Sequence, residues 1–402
     1  MKTKKFFLAI LLSFVFTISI AGCFGGVQTD SSTPSESEQI SSSKQEEVSS
    51  ESKESSTIIY NSSESTSSSE NSSSSESSSD SSVVETPKLD KMEIHFPVFA
   101  NKVSGDCTLI KVGDTELLID AGSTRGAAKT IVPYIEQYCT DGVLEYVVAT
   151  HAHEDHIAAF VGETSIKTDG VFDAFACGTI IDFVKTKSTS QIYKDYVSLR
   201  NAEVSAGATH YTALECYKQT GGAKRSYELG EGISFQILYQ KYYEESTSNE
   251  NNNSVCLLVT EGENNYLFTG DLESGGEKSL VEKNTLPKCK LYKSGHHGSN
   301  TSSCSELMSK IQPEIVVITC CCGDKHGFPH QETINTIAKY TSLVYVPVMA
   351  TSNGYELLNG NVVVTADNGK VTVKGSKNNT LFKDTAWFKN NRTMPNEWKI
   401  AG

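Results

Sequence analysis

Apolar and polar positions from residue 92 onward alternate in short runs that predict a mixed α/β fold. Met92 to Val98 alternates and reads as a first strand. Residues 105–110 and 116–121 look like a hairpin whose second arm ends in Asp120-Ala121-Gly122. A helix from about Ala127 to Tyr138 leads to residues 143–149, an apolar, β-branched run that reads as a buried strand. Ile157 to Val161 can open a helix. Strand-like pieces at Val171–Ile181 and Ile233–Tyr239 surround helix-compatible sequence from Gln191 to Asn201. Asn251–Val259, Asn265–Phe268 and Ile315–Thr319 read as further strands, and Leu291–Lys293 as the close of another. Turn signals divide the C-terminal runs 353–364 and 370–373 into short antiparallel strands.

The first 87 residues follow a different pattern. Lys2, Lys4 and Lys5 precede an apolar run from Phe6 to Ile20, which reads as a secretory signal too short for a comfortable membrane span. It ends in Ile20-Ala21-Gly22-Cys23, which resembles a bacterial lipobox. That resemblance implies a lipoprotein cleaved before Cys23 and lipidated on its sulfur, held on the outer face of the cell membrane. Residues 24–87 are Ser-rich, dotted with Glu and nearly without aliphatic or aromatic side chains, so they are expected to form a disordered tether. Such a chain reaches roughly 40–50 Å r.m.s.. Residues 88–402 remain for one folded domain.

Charge separates along the same boundaries. Of the formal −14, the signal carries +3, the tether −10 and residues 88–402 the remaining −7. An acidic domain has no broad electrostatic footprint for nucleic acid. Ten cysteines besides Cys23 are spread without a CxxC pair, which suggests neither a zinc knuckle nor a compact disulfide framework; they are expected to be mostly free.

The chemistry concentrates at Thr150-His151-Ala152-His153-Glu154-Asp155-His156. Four metal-binding side chains, His151, His153, Asp155 and His156, fall within six residues at the carboxyl end of a buried strand. If the stretch stays extended, His151, His153 and Asp155 project to one side, and His156 lets the cluster feed two adjacent cations. Imidazole with carboxylate suits zinc, and also manganese or iron. Further on, a strand ending in Thr269-Gly270-Asp271-Leu272-Glu273 offers a carboxylate that can bridge two cations. Lys293-Ser294-Gly295-His296-His297-Gly298-Ser299 follows, then His326-Gly327-Phe328-Pro329-His330.

The run HAHEDH resembles the signature of metallo-β-lactamase-fold hydrolases. The later series, Asn251-x-x-Ser254, TGDxE, KxxHHGS and a GxPH turn, is similar to the ComEC-type metallo-hydrolase domain over residues 92–350. The resemblance implies an αββα four-layer sandwich with metals at one edge; the C-terminal strands read as the closing part of the second sheet plus a tail. It also implies that Asp120 supports the metal loop without touching metal. His151 and His153 would hold one cation, Asp155, His156 and His296 the second, and Asp271 would bridge them. Asp155, His297 and Lys293 are the expected catalytic residues, the last two stabilising developing negative charge. Asp106, Asn251, Ser254, Glu273, Ser299 and His330 are expected behind the ligands or against substrate. His210 stands where relatives often carry another ligand, without their glycine-rich context; it is either a ligand or a loop or substrate-side histidine. The implied activity is a phosphodiesterase or nuclease acting on DNA, with small phosphoesters of the phosphocholine or wall-polymer type as the alternative and a non-catalytic binding lipoprotein as a third reading. No protein partner is evident in the sequence.

Overall fold

The computed structural model of the chain describes residues 89–400, with the side chain of Ile400 excepted. The signal, the lipidation position Cys23 and the tether lie outside the described residues.

The chain starts with β1 (Met92–Phe96), β2 (Cys107–Val112) and β3 (Thr115–Ala121). Helix α1 (Ala128–Ile135) leads to β4 (Val143–Val148), and α2 (Glu154–Val161) follows directly after the histidine run. Eight strands form the first sheet, in the order 370–375, 362–367, β1, β2, β3, β4, 176–182, 209–212. Seven form the second, in the order 344–345, 315–317, 291–293, 264–268, 256–261, 233–238, 226–230. Each sheet mixes parallel and antiparallel pairs: β3 runs parallel to β4, and 256–261 antiparallel to 264–268.

Alternation along the strands shows why the sheets stack. Leu257, Val259, Tyr266 and Phe268 point into a core shared with Ile94, Ile110 and Leu117 of the first sheet. Leu258, Leu267 and Tyr292 point the other way, against Leu280, Leu307, Ile311 and Ile334 of the helices beyond. Ile131, Ile157, Phe160 and Tyr196 cover the first sheet from its own side. The result is helix, sheet, sheet, helix. Each such side chain contributes about 1.5–3 kcal/mol by burial. A one-residue slip would turn the whole set to the wrong face, so the register is firmly specified.

Three expectations change. The strand expected at Val171–Ile181 is a short helix (Val171–Ala174) followed by a strand (Ala176–Asp182), because Gly170 starts a turn whose N–H is taken by the Asp173 carboxylate at 3.2 Å. The strand expected from Asn251 begins only at Cys256; residues Glu250–Asn253 form a 3-10 turn. The C-terminal strands join the first sheet rather than closing the second, 362–367 pairing with β1 and 370–375 with 362–367. Strand 354–357 belongs to a separate three-stranded sheet with 321–322 and 348–351. Among the described residues Cys107, Cys139, Cys216, Cys256, Cys289, Cys304 and Cys320 to Cys322 are free thiols.

Candidate metal centre

The carboxyl ends of β3 and β4 build the floor of the site. After Val148 the chain turns, and α2 starts at Glu154 with His153 as its extended N-cap. Asp155 and His156 therefore leave the first turn of a helix, not the extended run expected from sequence. Glu154 and Asp155 suit that position because the helix dipole favours acidic groups at an N-terminus. The backbone is pinned there: Asp106 N and Ser123 N both donate to the Asp155 carbonyl, at 3.0 and 3.1 Å. Gly122 makes this approach possible, since a Cβ on it would lie 1.5 Å from the same oxygen. Gly270 serves the facing turn in the left-handed region (φ +53), where a Cβ would come within 2.9 Å of Ser254 Oγ and Thr150 Cβ.

Asp155, His156, Asp271 and His297 bring one donor atom each to within 4.8 Å of one another. His156 Nε2 lies 3.1 Å from Asp271 Oδ2, and His297 Nε2 lies 3.4 Å from both Asp155 Oδ2 and Asp271 Oδ2. The far ring nitrogens fix the tautomers. His156 Nδ1 donates to Asp120 Oδ2 at 2.7 Å, and His297 Nδ1 donates to the Thr319 carbonyl at 2.9 Å. In the neutral form that ligation requires, each Nε2 would present a lone pair inward. His156 Nε2, His297 Nε2 and Asp271 Oδ1 are buried without a hydrogen-bond partner. Buried polar atoms are almost always satisfied, so three orphans converging among carboxylates fit a site that holds a divalent cation.

His151 and His153 face each other beside this group, Nε2 to Nδ1 at 3.0 Å, with the His151 and His156 rings 4.1 Å apart. His296 and His297 exchange the parts expected of them. His297 is 1% exposed and sits inside the four-membered group; His296 Nε2 stays 3.9 Å from Asp271 Oδ2 and faces Asn251 Nδ2 at 3.4 Å. The cause is the backbone: both histidines are left-handed (φ 48 and 53), which turns the second side chain inward. Such conformations cost on the order of 1 kcal/mol each and cluster at functional sites.

Charge is shared strongly across the group. Burial opposes ionisation of Asp155, yet His297 beside it and the His156 charge hold its carboxyl down at about 2. Burial lowers the pKa of His156 and His297, but Asp271, with Asp120 for one and Asp106 for the other, raises both well above the usual imidazole value. Asp271 is correspondingly held well below the carboxylate range, again against burial. His151 moves the other way, lowered by burial and by His156. Two imidazolium charges here offset the acids as a cation would.

Behind the group lies a buried network. Asp106 accepts from Thr319 Oγ1, and Lys293 Nζ forms an ion pair with its other oxygen. Lys293 is 3% exposed. Its ammonium is committed to Asp106, so it is a counter-ion behind the site and not the substrate contact expected of it. Asp120 receives Thr150 N and Thr150 Oγ1 at 2.7 and 2.8 Å. Ser254 Oγ accepts from Asp271 N at 3.0 Å and approaches His151 Nδ1 at 3.5 Å. Thr150 and Thr319 were missed by sequence reasoning; a threonine at a strand end carries no chemical signal.

The remaining expected residues divide. Asn251 Nδ2 donates to Glu273 Oε1 at 3.3 Å, placing both at the His296 rim. Ser299 and His330 hold backbone: Ser299 O accepts from Thr333 Oγ1 at 2.7 Å, and His330 uses Nδ1 on Asn300 N and Nε2 on the His326 carbonyl. His330 therefore has no ring nitrogen left for substrate. His210 sits on the strand 209–212, two strands from β4, with Nε2 2.9 Å from Asp182 Oδ1. It is outside the metal group.

Residues 100–164 match the family model described as Metallo-beta-lactamase superfamily. The chain is 27% identical over 245 residues to Recombination protein 2 of Haemophilus influenzae, covering 60% of this chain and 26% of that protein. It is 24% identical over 220 residues to ComE operon protein 3 of Bacillus subtilis, covering 53% and 24%. Competence protein ComA of Neisseria gonorrhoeae is 26% identical over 238 residues, covering 58% and 28%. The chain spans about a quarter of the length of these relatives.

Proposed function

We propose, from the premise that the folded part of this chain is a metallo-β-lactamase-fold domain similar to those of the competence proteins, that it is a metal-dependent hydrolase cleaving phosphodiester bonds, with DNA strands as its substrate. The observation that carries the hydrolase reading is the convergence of unpartnered His156 Nε2, His297 Nε2 and Asp271 Oδ1 beside Asp155. His151, His153, Asp155, His156, Asp271 and His297 would hold two divalent cations, zinc by donor type, with His296 at the edge. When bound, such cations supply Lewis acidity, polarising an ester oxygen and lowering the pKa of water towards neutrality.

The chain's own residues do the positioning. Asp120 and the Thr319 carbonyl fix the His156 and His297 tautomers. Lys293 neutralises Asp106, so that the carboxylate can stand behind His297 without repelling Asp155 and Asp271. His296, Glu273 and Asn251 line the rim, where the partly exposed His296 would face the substrate. Support for DNA comes from the relatives, whose names refer to recombination and competence. The −7 of residues 88–402 favours the second reading, a small phosphoester of phosphocholine or wall-polymer type, which needs no extended contact with a polyanion. Lipidation of Cys23, which the lipobox resemblance implies, would hold either activity at the membrane surface.

End-labelled single- and double-stranded DNA, incubated with the full chain and manganese or zinc, separates the two readings. Cutting that stops with chelator and in Asp155→Ala is expected. Metal-dependent hydrolysis of bis(p-nitrophenyl) phosphate without any DNA cutting would move the assignment to small phosphoesters.

A further inference from the structure

A second cluster of donors lies at the opposite end of the same strands. Glu116 opens β3, Glu145 lies near the start of β4, and Cys139 and Asp141 belong to the turn between α1 and β4. The metal centre lies past the other ends, roughly 15–20 Å away at strand rise. We propose that Glu116, Cys139 and Asp141 form a separate structural site for a thiolate-accepting divalent cation of the zinc class.

Three observations carry this. Donor atoms of Glu116, Cys139 and Asp141 all lie within 4.8 Å of one another. Tetrahedral zinc sets two donors about 3.3–3.8 Å apart, a spacing that Cys139 Sγ and Asp141 Oδ1 meet at 3.8 Å; Glu116 would close in on them. Second, the Glu116 side chain is 1% exposed, and its Oε2 meets no hydrogen-bond donor. Its other oxygen pairs with Lys111, which is itself near the surface. Third, charge does not balance. Glu145 Oε2, which accepts from Glu116 N at 2.9 Å, adds a third carboxylate to Glu116 and Asp141, against one ammonium. Burial, with Glu145 adding and Lys111 opposing, pushes the Glu116 carboxyl up to about 7. A buried carboxyl among acids calls for a proton or a cation.

Cys139 supplies the discriminating donor. Its Sγ lies 3.8 Å from Asp141 Oδ1 and donates to the Val143 carbonyl at 3.1 Å. Burial, then Glu116 and Asp141, push the thiol up to about 12, so it keeps its proton until a cation displaces that proton to solvent. A bound ion would tie the α1–β4 turn to β3 and, with Lys111, offset three of the four negative charges that the three carboxylates and the thiolate carry. Its role is to fasten the fold, and it touches no substrate.

The test uses the full chain, stripped by chelator and reloaded with cobalt(II). Thiolate-to-cobalt charge-transfer absorption is expected, and Cys139→Ser should lose it and bind one ion fewer per chain than the parent. No sulfur belongs to the His/Asp group, so this readout stands whatever becomes of the hydrolase reading. Asp141→Asn, at an exposed position, guards against misfolding: it should weaken cobalt binding at this band at least tenfold with an unchanged circular dichroism spectrum. Absence of the band in the parent, or equal metal content in parent and Cys139→Ser, overturns the proposal.

Discussion

Asp120 Oδ2 lies 2.7 Å from His156 Nδ1, both side chains fully buried. The same carboxylate takes Thr150 N and Oγ1, so one side chain sets a ligand's tautomer and the path of the loop that carries it. Removing that hold should act on metal before it acts on fold. Asp120→Asn is expected to lower divalent-cation affinity about 10–100-fold, read by competition with a chelating dye, while the unfolding midpoint moves little by comparison.

Lys293 and Asp106 make the opposite case, a pair whose loss acts on the fold. Both are buried, and Lys293→Met would leave a carboxylate without its counter-ion. The expected cost is about 3–5 kcal/mol in denaturant unfolding. The double variant Lys293→Met, Asp106→Asn should recover much of that loss, because the uncompensated charge is gone. Additive costs would show that the pair is not coupled.

Metal binding should tighten as pH rises. His156 and His297 are held protonated well above the usual imidazole range in the metal-free protein, and ligation requires their neutral forms. Titration calorimetry in buffers of different ionisation enthalpy should detect protons released on binding. Affinity independent of pH would contradict this account of the two rings.

Acid sensitivity of the fold has a separate source. His95 is 1% exposed, its Nδ1 pairs with Tyr134 OH at 3.0 Å, and burial, opposed by Glu93, lowers its pKa to about 4. Its contribution is complete above the unfolded value of 6.5 and is lost as pH falls through about 4, roughly 3 kcal/mol over that window. His95→Phe should flatten the stability-against-pH curve between 6.5 and 4. An unchanged slope would place the acid sensitivity elsewhere.

The metal centre was legible where its residues are near in sequence. His151 to His156 announce themselves because four ligand side chains in six residues follow a buried strand. Asp120 could be placed by the resemblance. The part of Lys293 could not, because it depends on Asp106, which reaches it across two sheets from a position almost 190 residues earlier. The exchange between His296 and His297 was hidden for another reason: two left-handed residues reverse which neighbour faces inward, and a sequence carries no signal for that at histidine. The sheet strands showed plainly by alternation, but alternation does not name a partner. Strand 362–367 would alternate in the same way against either sheet, and only the fold assigns it to β1.

Cation binding by the chelator-stripped full chain, measured beside Asp271→Ala, tests the central claim most directly. Asp271 lies between His156 and His297 and offers the buried Oδ1 that meets no donor. The account predicts tight binding of manganese, which a thiolate site does not favour, in the parent and a loss of at least a hundredfold in the variant. Equal binding by the two proteins, or none by the parent, would contradict it.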